Sequence, residues 1–260
     1  FLDKGLGCIK VFDKNFNFLC AIGQLGNGPG EFSDGVKSIR LFNDSILIVF
    51  DNELKRFSFF TREGKYIKGK KFIEHNVDDF IFEERQIIIS NFAVDDGIYA
   101  IKILDTNYVE TKQFGKIIPI KSDIFDKLTK SSYKSIITEM FSNYNYTRII
   151  KLDNKIFYAQ KNPYGILMYD ENGNFIKGFN TSTDFSTEFN IEIKEENNAM
   201  TRKVISPPGS YYNINIYKEK YILALVPKPA KSFRGDTSKV DCWLDCYNLE
   251  GRLLDRIEID

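Results

Sequence analysis

The chain has 260 residues, 43% of them hydrophobic and 28% charged, which is the composition of a globular protein with one large domain or two small ones. Its 36 basic and 36 acidic residues balance, so no overall field favours nucleic acid or an anionic membrane as a partner. No apolar run approaches the roughly 20 residues that a membrane-spanning helix requires, and we expect no transmembrane segment. One histidine and four cysteines without a CxxC pair argue against a zinc site.

The cysteines lie near the two ends of the chain. Cys8 and Cys20 flank the first predicted hairpin and could face each other, although buried free thiols are the simpler interpretation. Cys242 and Cys246 lie four residues apart in one strand-like run. A strand separates such residues by about 13 Å, which is too far for a disulfide between them.

A short motif recurs along the chain: an aromatic or apolar residue, a polar turn that usually contains glycine, and a return to apolar residues. Glycine supplies the positive φ that a tight turn between antiparallel strands requires, so each copy predicts a hairpin tip. Phe16 replaces the glycine in the first copy, and we expect that turn to differ slightly. The copies are FDKNFNF at 12–18, FTREGKY at 60–66, the weaker LDTNYV at 104–109, YDENGNF at 169–175 and YNLEGRL at 247–253.

A second family of turns lies between these copies, where two β-branched or aromatic runs meet through a short polar tip. Its members lie at 40–49, 80–89, 149–158 and 214–223. Two hairpins per repeat make four antiparallel strands, and four-stranded units that recur at about 45 residues have the period of propeller blades. The sequence therefore predicts an all-β fold, a β-propeller of four-stranded antiparallel blades.

The glycine-rich stretch GQLGNGPGEF at 23–32 lies between the outer strand of the first repeat and the inner strand of the second. A phosphate-binding loop needs a helix after its glycines, so that backbone N–H groups and the helix dipole converge on the anion. A strand pattern follows here instead, without a Gly-Lys-Ser/Thr ending. We therefore predict a connector between blades, stiffened by Pro29, in which Phe32 fills the gap between the blades.

Part of the chain resembles a known family of propellers. GNGPGEF at 26–32, ILIVFDNELKRFSFF at 46–60 with its spacing of Asp51 and Arg56, and the Gly64 turn are similar to an NHL-type blade. In particular they resemble the blades of TolB-like six-bladed propeller proteins, which are common among exported bacterial lipoproteins. The resemblance implies a six-bladed propeller in the cell envelope or at the cell surface, but it implies no single activity.

The repeats set the predicted domain organisation, a single propeller domain over 1–260. We find four complete repeats and, before them, the last two strands of another. With six blades expected, residues before Phe1 would have to complete the ring, and a five-bladed closure is the alternative. The predicted parts are a half blade at 1–24, blades at 36–74, 77–115, 146–180 and 210–260, and insertions at 116–145 and 181–209.

The first insertion carries a helical pattern at 122–144. Ile124, Leu128, Ile136 and Met140 recur at helical spacings, and Ser122 or Asp123 can cap the start. We expect one amphipathic helix, or two short ones, between blades and packed on the propeller.

Propeller topology indicates which face of the fold carries the function. Links between blades and turns between second and third strands emerge on one face, and the surplus segments at 116–145, 181–210 and 227–238 all belong to it. Long loops on a rigid frame tend to carry function, so we predict that this face binds a ligand. Decoration that serves stability alone is the alternative.

The candidate ligand-binding residues on that face are a mixture of aromatic, amide and charged side chains, which suits a glycan or a peptide. They are Asp51, Asn52 and Arg56 in the second repeat, Asp95 and Asp96 in the third, Lys161 and Tyr164 in the fourth, and Tyr211, Tyr212 and Arg234 in the last. The structural alternative is an Asp51–Arg56 pair that holds the blade hairpin, and a simple turn at Asp95 and Asp96.

No catalytic residues are predicted, because His75 stands alone and no GxSxG elbow accompanies it. We predict a noncatalytic binding propeller that recognises a glycan, peptide or protein. By the family resemblance it is exported, to the periplasm or cell surface of a bacterium. We expect no nucleic-acid partner, and a lipid anchor upstream of Phe1 stays open.

The alternative is a metal-dependent hydrolase, lactonase or lyase, in which calcium is held by oxygen ligands in the central channel. The predicted inner strands offer only Asp78 and Asp79 as carboxylates near their entry ends. Calcium takes about six or more oxygen ligands. We therefore expect no cofactor, while a structural or channel calcium stays open.

Overall fold

The fold is given by a computed structural model. It describes residues 1–3, 5–72, 77–91, 99–116, 147–160, 165–179, 190–196, 199–205, 213–227 and 242–259. The chain divides into two compact units, the first made of 1–91 with 102–112 and the second of 92–101 with 113–260. All regular structure in the described residues is β, and none of them forms a helix that is long and apolar enough to span a membrane. The predicted helix at 122–144 lies outside the described residues.

The strands follow the predicted rhythm of paired hairpins. They are β1 Leu2–Asp3, β2 Cys8–Phe12, β3 Phe18–Ile22, β4 Val36–Phe42, β5 Ile46–Asp51, β6 Arg56–Thr61, β7 Tyr66–Lys71, β8 Asp79–Phe82, β9 Gln86–Ser90, β10 Tyr99–Asp105, β11 Glu110–Lys116, β12 Thr147–Leu152, β13 Lys155–Gln160, β14 Gly165–Asp170, β15 Phe175–Phe179, β16 Asn190–Glu196, β17 Ala199–Ile205, β18 Asn213–Tyr217, β19 Tyr221–Pro227, β20 Cys242–Asn248 and β21 Leu253–Ile259.

Five of the sheets are propeller blades. Strands β4 to β7, β8 to β11, β12 to β15 and β18 to β21 each form a four-stranded sheet in chain order, and β1 to β3 form a three-stranded one. The fold is thus a β-propeller with five blades, and the expectation of six was wrong. That expectation came from the family resemblance, whereas the repeats in the sequence, four complete and one partial, already number five.

Two elements were missed in the sequence. Strand β1 adds a third strand to the first blade, and it has only two residues, too short for an alternating pattern to show. Strands β16 and β17 form a separate two-stranded hairpin within the segment predicted as the second insertion.

The five predicted hairpin tips are confirmed, and they share one geometry. In the first, Asp13 N donates to Asn17 O and Phe16 N donates to Asp13 O, and the same pair of bonds recurs at Thr61, Asp105, Asp170 and Asn248. Phe16 has φ 63°, in the left-handed region that Gly64, Gly173 and Gly251 occupy in their turns. The prediction that the Phe16 turn would differ was therefore wrong.

The second family of turns is confirmed as well. In the first of them Phe42 pairs with Ile46, and the central residues Asn43 and Asp44 have φ 48° and 53°. Such a turn matches the right-handed twist of its flanking strands and favours Asn and Asp over β-branched residues.

The first unit has an aromatic core between the second and third sheets. Phe57, which is 0% exposed, contacts the rings of Phe50, Phe72 and Phe80 at centroid distances of 4.7, 5.5 and 5.1 Å. A second buried cluster joins the first sheet to the second and includes Ile9, Ile22, Phe32 and Phe60.

The described part of the second unit contains an apolar core and a buried ion pair. Phe157, Ile166, Ile222 and Tyr247 belong to its buried cluster. Asp245, 0% exposed, accepts hydrogen bonds from Arg256 Nε at 2.6 Å and Arg256 Nη2 at 2.9 Å, and from the Tyr247 hydroxyl at 2.9 Å. The carboxylate, whose burial alone would be costly, is thereby neutralised.

All four cysteines are free thiols. Cys20 lies opposite Val11 and Cys8 lies opposite Asp3 in the strand register, so the two do not face each other across the hairpin. Burial, followed by the nearby charge of Asp255, raises the pKa of the Cys246 thiol.

Candidate functional site

A described part of the predicted binding face lies at the end of the second sheet where β4 begins and β5 ends, that is, at the ends of its strands and not along its outer strand. We call this the link edge: the glycine-rich link at 23–35 and the turn at 52–55. Both segments belong to the first unit.

Asp51 joins the two segments of the link edge. The side chain is 1% exposed and accepts hydrogen bonds from the backbone N and the hydroxyl of Ser33 at 2.7 and 2.6 Å. It also accepts from the backbone N of Glu53 at 3.1 Å and of Leu54 at 3.0 Å. A buried carboxylate with several donors fixes the geometry of both segments, as capping side chains do in turns.

Arg56 holds the link from the other side. Its Nη1 donates to Asn27 O at 3.2 Å, and its Nη2 donates to Gly28 O at 3.0 Å and Glu31 O at 2.7 Å. Asp51 and Arg56 are paired in the β5–β6 register, yet these contacts are made with the link rather than across the hairpin. The two residues that carry the spacing noted in the sequence therefore clamp the same connector.

The glycine-rich link contains its own anion. The Glu31 carboxylate accepts from Gln24 Nε2 at 2.8 Å and from Gly28 N at 2.7 Å, and these two bonds, in that order, lower its pKa. A Cβ at Gly28 would lie 2.9 Å from this carboxylate, so a larger residue would require the Glu31 side chain to shift. Because Glu31 takes a backbone N–H that a phosphate would use, the contacts favour the predicted connector over a phosphate cradle.

Phe32 fills the position predicted for it. The ring is 0% exposed and lies 5.5 Å from the ring of Phe60 on β6. Gly23, with φ 76°, lies directly against this ring, and a Cβ there would overlap it. The link is therefore packed into the core and not only hydrogen-bonded.

Replacing Arg56 by glutamine is expected to lower the free energy of unfolding by about 2 kcal/mol, because three backbone carbonyls lose a charged donor. Urea denaturation followed by circular dichroism measures the change. Arg62→Gln is the matched control, since Arg62 is exposed in a turn at the opposite edge of the same sheet, and it should change the value by less than about 0.5 kcal/mol. Equal effects of the two variants would contradict the clamp.

The turn at 52–55 presents polar groups to solvent. Asn52 is half-buried, its backbone N donates to Gly35 O at 2.9 Å, and its Oδ1 accepts from Lys55 Nζ at 3.0 Å. Burial, and then the charge of Lys37, lowers the pKa of Lys55. Glu53 is exposed at the tip. Ammonium and amide donors beside a carboxylate suit hydroxyl-rich or charged ligands.

The structure brings together three of the predicted site residues, Asp51, Asn52 and Arg56, at the link edge. The remaining ones lie outside the described residues: Asp95, Asp96, Lys161, Tyr164, Tyr211, Tyr212 and Arg234. Ser33, Glu31 and Lys55 were not predicted as site residues, although the acid near the end of the glycine-rich stretch, Glu31, was a visible signal.

The inner strands carry a buried ion pair in the first unit. Asp79, 0% exposed, accepts from Arg40 Nε at 3.1 Å and also from Arg40 Nη2 and the Ser38 hydroxyl. Its oxygens are therefore occupied by protein donors. Within the described ranges no group of three or more His, Cys, Asp or Glu side chains is placed to hold a metal ion.

Comparisons with known proteins give the fold. No family model and no curated protein matches the chain. A DUF4221 family member from Bacteroides vulgatus is similar with a TM-score of 0.57 and 10% identity, over 97% of this chain and 74% of its own. The chain has a β-propeller fold. Hydrazine synthase of Kuenenia stuttgartiensis is similar with a TM-score of 0.52 and 9% identity, over 98% of this chain and 60% of its own.

A Bacteroides fragilis protein named as exported is more distant, with a TM-score of 0.44 and 13% identity over 86% of this chain and 75% of its own. Its score is too low to support an argument about this chain. At identities this low the other two similarities show the fold alone, because one fold hosts many functions. The TolB-like and NHL-type resemblance therefore stays a prediction.

Proposed function

We propose that the protein is a noncatalytic recognition module that binds a glycan, a peptide or a protein at the link edge. The observation that carries this proposal is the clamp made by Asp51 and Arg56, which fixes the link and the turn through seven hydrogen bonds. A fixed backbone that presents Asn52, Glu53 and Lys55 loses little conformational entropy when a ligand binds.

The location proposed for the module is outside the cytoplasm, in the periplasm or at the surface of a bacterium. Support for this comes from the resemblance of 26–64 to TolB-like and NHL-type blades. Fractionation of the native protein in cells, with a cytoplasmic and a periplasmic marker, tests it directly.

The contacts of Asp79 favour binding over metal-dependent hydrolysis. A calcium site needs several free oxygen ligands, and Asp79 is one of the two carboxylates that the predicted inner strands offer near their entry ends. Its oxygens already accept bonds from Arg40 and Ser38. The recognition module is therefore the function that the described residues support best.

Glycan and peptide arrays, followed by titration of the strongest hits, test the proposed function. Glu53→Lys is expected to weaken binding of a true ligand at least tenfold, because it reverses the exposed charge at the tip of the link edge. Glu63→Lys is the matched control: Glu63 is also exposed in a hairpin turn of the second sheet, but at its opposite edge. Neither side chain contributes to the clamp.

The outcome depends on the difference between these two variants. Loss of binding in Glu53→Lys with wild-type binding in Glu63→Lys supports the link edge as the binding surface. Equal binding by both variants would place the ligand elsewhere and refute this surface. Because both changes add the same charge, a general electrostatic effect cancels in the comparison.

A further inference from the structure

The second sheet carries a concentration of positive charge that the balanced chain does not lead one to expect. Residues 53–72 include seven basic and two acidic side chains, whereas the whole chain has 36 of each. Four of the lysines lie on or beside β7, the outer strand of the sheet, and we call Lys65, Lys68, Lys70 and Lys71 the lysine ridge.

The strand register places these ammonium groups on both faces of one strand. Lys68 and Lys70 lie opposite Phe59 and Phe57, and Lys71 lies opposite Arg56. Lys68 Nζ is 5.0 Å from the centre of the Phe59 ring, and Lys70 Nζ is 5.2 Å from that of Tyr108. These ring contacts orient the ammonium groups without cancelling their charge.

Of the acidic side chains around the second sheet, Glu63 and Glu31 are held by other groups, while Glu53 is exposed in the turn at 52–55. Glu63 has its pKa lowered first by a hydrogen bond from its own backbone N–H and then by the Thr61 hydroxyl. Glu31 is held by Gln24 and Gly28 within the link. These hydrogen bonds leave the carboxylates charged, but seven basic side chains against two acidic ones in 53–72 still give the second sheet an excess of positive charge, and four of the lysines lie on or beside its outer strand.

Protection of an exposed sheet edge is the simplest alternative, since lysines discourage pairing with other chains. The other outer strands argue against it as a general device of this fold. Strand β3, with sequence FLCAI, has no charged residue, β11 has two lysines and one glutamate, β15 has one lysine, and β21 has two acidic residues and one basic, whereas β7 has three lysines and no acidic residue. An edge guard would be needed equally at these strands, yet the lysines are concentrated at one.

We propose that the lysine ridge is a binding surface for an acidic polysaccharide, a chain of sugars that carries carboxylate or sulfate groups. The ridge matches such a ligand in charge, and its width is that of a single strand about 20 Å long. This surface is distinct from the link edge proposed above and does not depend on that proposal.

Two other classes of anionic partner fit less well. Single-stranded nucleic acid is bound by exposed aromatic rings on which bases stack, but Phe59 beside Lys68 is only 7% exposed. An anionic membrane favours lysines mixed with apolar side chains that insert into the bilayer. On β7 only Ile67 is large, apolar and exposed, at 47%.

The test is a calorimetric titration of the protein with a heparin decasaccharide, and with a neutral maltodextrin of equal length. We expect binding of heparin and none of maltodextrin. The double variant Lys68→Gln, Lys70→Gln is expected to weaken heparin binding about tenfold and to lower the slope of log K against log salt by about 2, one for each lysine removed.

The double variant Lys218→Gln, Lys220→Gln is the matched control. It removes the same charge from an exposed turn of the last sheet, and Lys218 also lies over a ring, 5.0 Å from the centre of Tyr217. It should bind heparin within twofold of wild type. Circular dichroism of both variants should match the wild-type spectrum, because the four side chains are exposed.

Three results would overturn the proposal. They are wild-type protein that fails to bind heparin, an equal loss in the two double variants, and tighter binding of a 20-nucleotide single-stranded DNA or of phosphatidylserine vesicles than of heparin at the same salt. A null result for Glu53→Lys on the arrays would leave these titrations unaffected, so failure at the link edge and failure at the ridge are distinguishable.

Discussion

Asp79→Ala is expected to lower the free energy of unfolding by about 3–5 kcal/mol, because it strands the partners of a fully buried carboxylate. Arg40 loses the carboxylate to which its Nε and Nη2 donate, although its Nε also donates to Phe80 O at 3.2 Å, and the Ser38 hydroxyl loses its Asp79 acceptor. The Phe80 backbone N also donates to Asp79 Oδ1, at 3.0 Å. The Ser38 hydroxyl and the Phe80 N–H are buried and keep the cost of their desolvation, whereas the Arg40 side chain is 35% exposed and regains water; the loss still exceeds that of a surface ion pair.

Urea denaturation measures this loss, and two further variants separate its causes. Asp34→Ala removes an exposed aspartate of the same unit and should change the free energy of unfolding by less than about 0.5 kcal/mol. Arg40→Met combined with Asp79→Ala should recover part of the loss, because it removes the stranded charge and keeps an apolar stem. A double variant that is less stable than Asp79→Ala would contradict this account.

The propeller could be predicted from sequence because its turns are local. Each hairpin tip is closed by residues three or four positions apart, as between Asp13 and Asn17, and the identities of those residues carry the signal. Short apolar runs indicate strands that are buried on both faces, and β5 and β6 each have four consecutive buried residues. Fold class and hairpin positions therefore followed from short windows of sequence.

The link edge was harder to predict, because its contacts join distant parts of the chain. Ser33 is 18 residues from Asp51, and the carbonyl of Asn27 is 29 residues from Arg56. The sequence suggested that Asp51 and Arg56 form a pair, and they are paired in the strand register. It did not show that both of them bind the glycine-rich link. Spacing along the chain identifies such residues without identifying their partners.

The Asp79 carboxylate was likewise misjudged because its partner is distant in sequence, but here the sequence suggested a site that the structure does not support. Its position on an inner strand made it a candidate calcium ligand, and the arginine that neutralises it lies 39 residues away on β4.

The number of strands in the first blade was underestimated, because β1 pairs only Leu2 with Ile9 and Asp3 with Cys8. Two residues are too few to show an alternation of apolar and polar side chains, so a strand of that length cannot be recognised from the sequence.

Phe57→Ala is expected to cost about 3–5 kcal/mol, the range for a large aromatic side chain removed from a core. Phe57 is 0% exposed and lies at the centre of the aromatic cluster of the first unit. Besides Phe50, Phe72 and Phe80, its ring contacts Phe82 at 5.3 Å and Tyr108 at 6.0 Å. Five rigid rings cannot collapse far into the space it leaves, so a cavity adds to the lost apolar transfer energy.

The size series at this position distinguishes cavity from contact. Phe57→Leu keeps most of the buried volume and should cost less than about 1.5 kcal/mol, while Phe18→Ala, at a ring 57% exposed, is the surface control and should cost less than about 1 kcal/mol. Urea unfolding should be followed by circular dichroism and by fluorescence of Trp243, the one tryptophan, because coincident transitions are required for a two-state free energy. If Phe57→Ala costs no more than Phe57→Leu, the cluster relaxes around the missing ring, and rigid aromatic packing is not what stabilises the first unit.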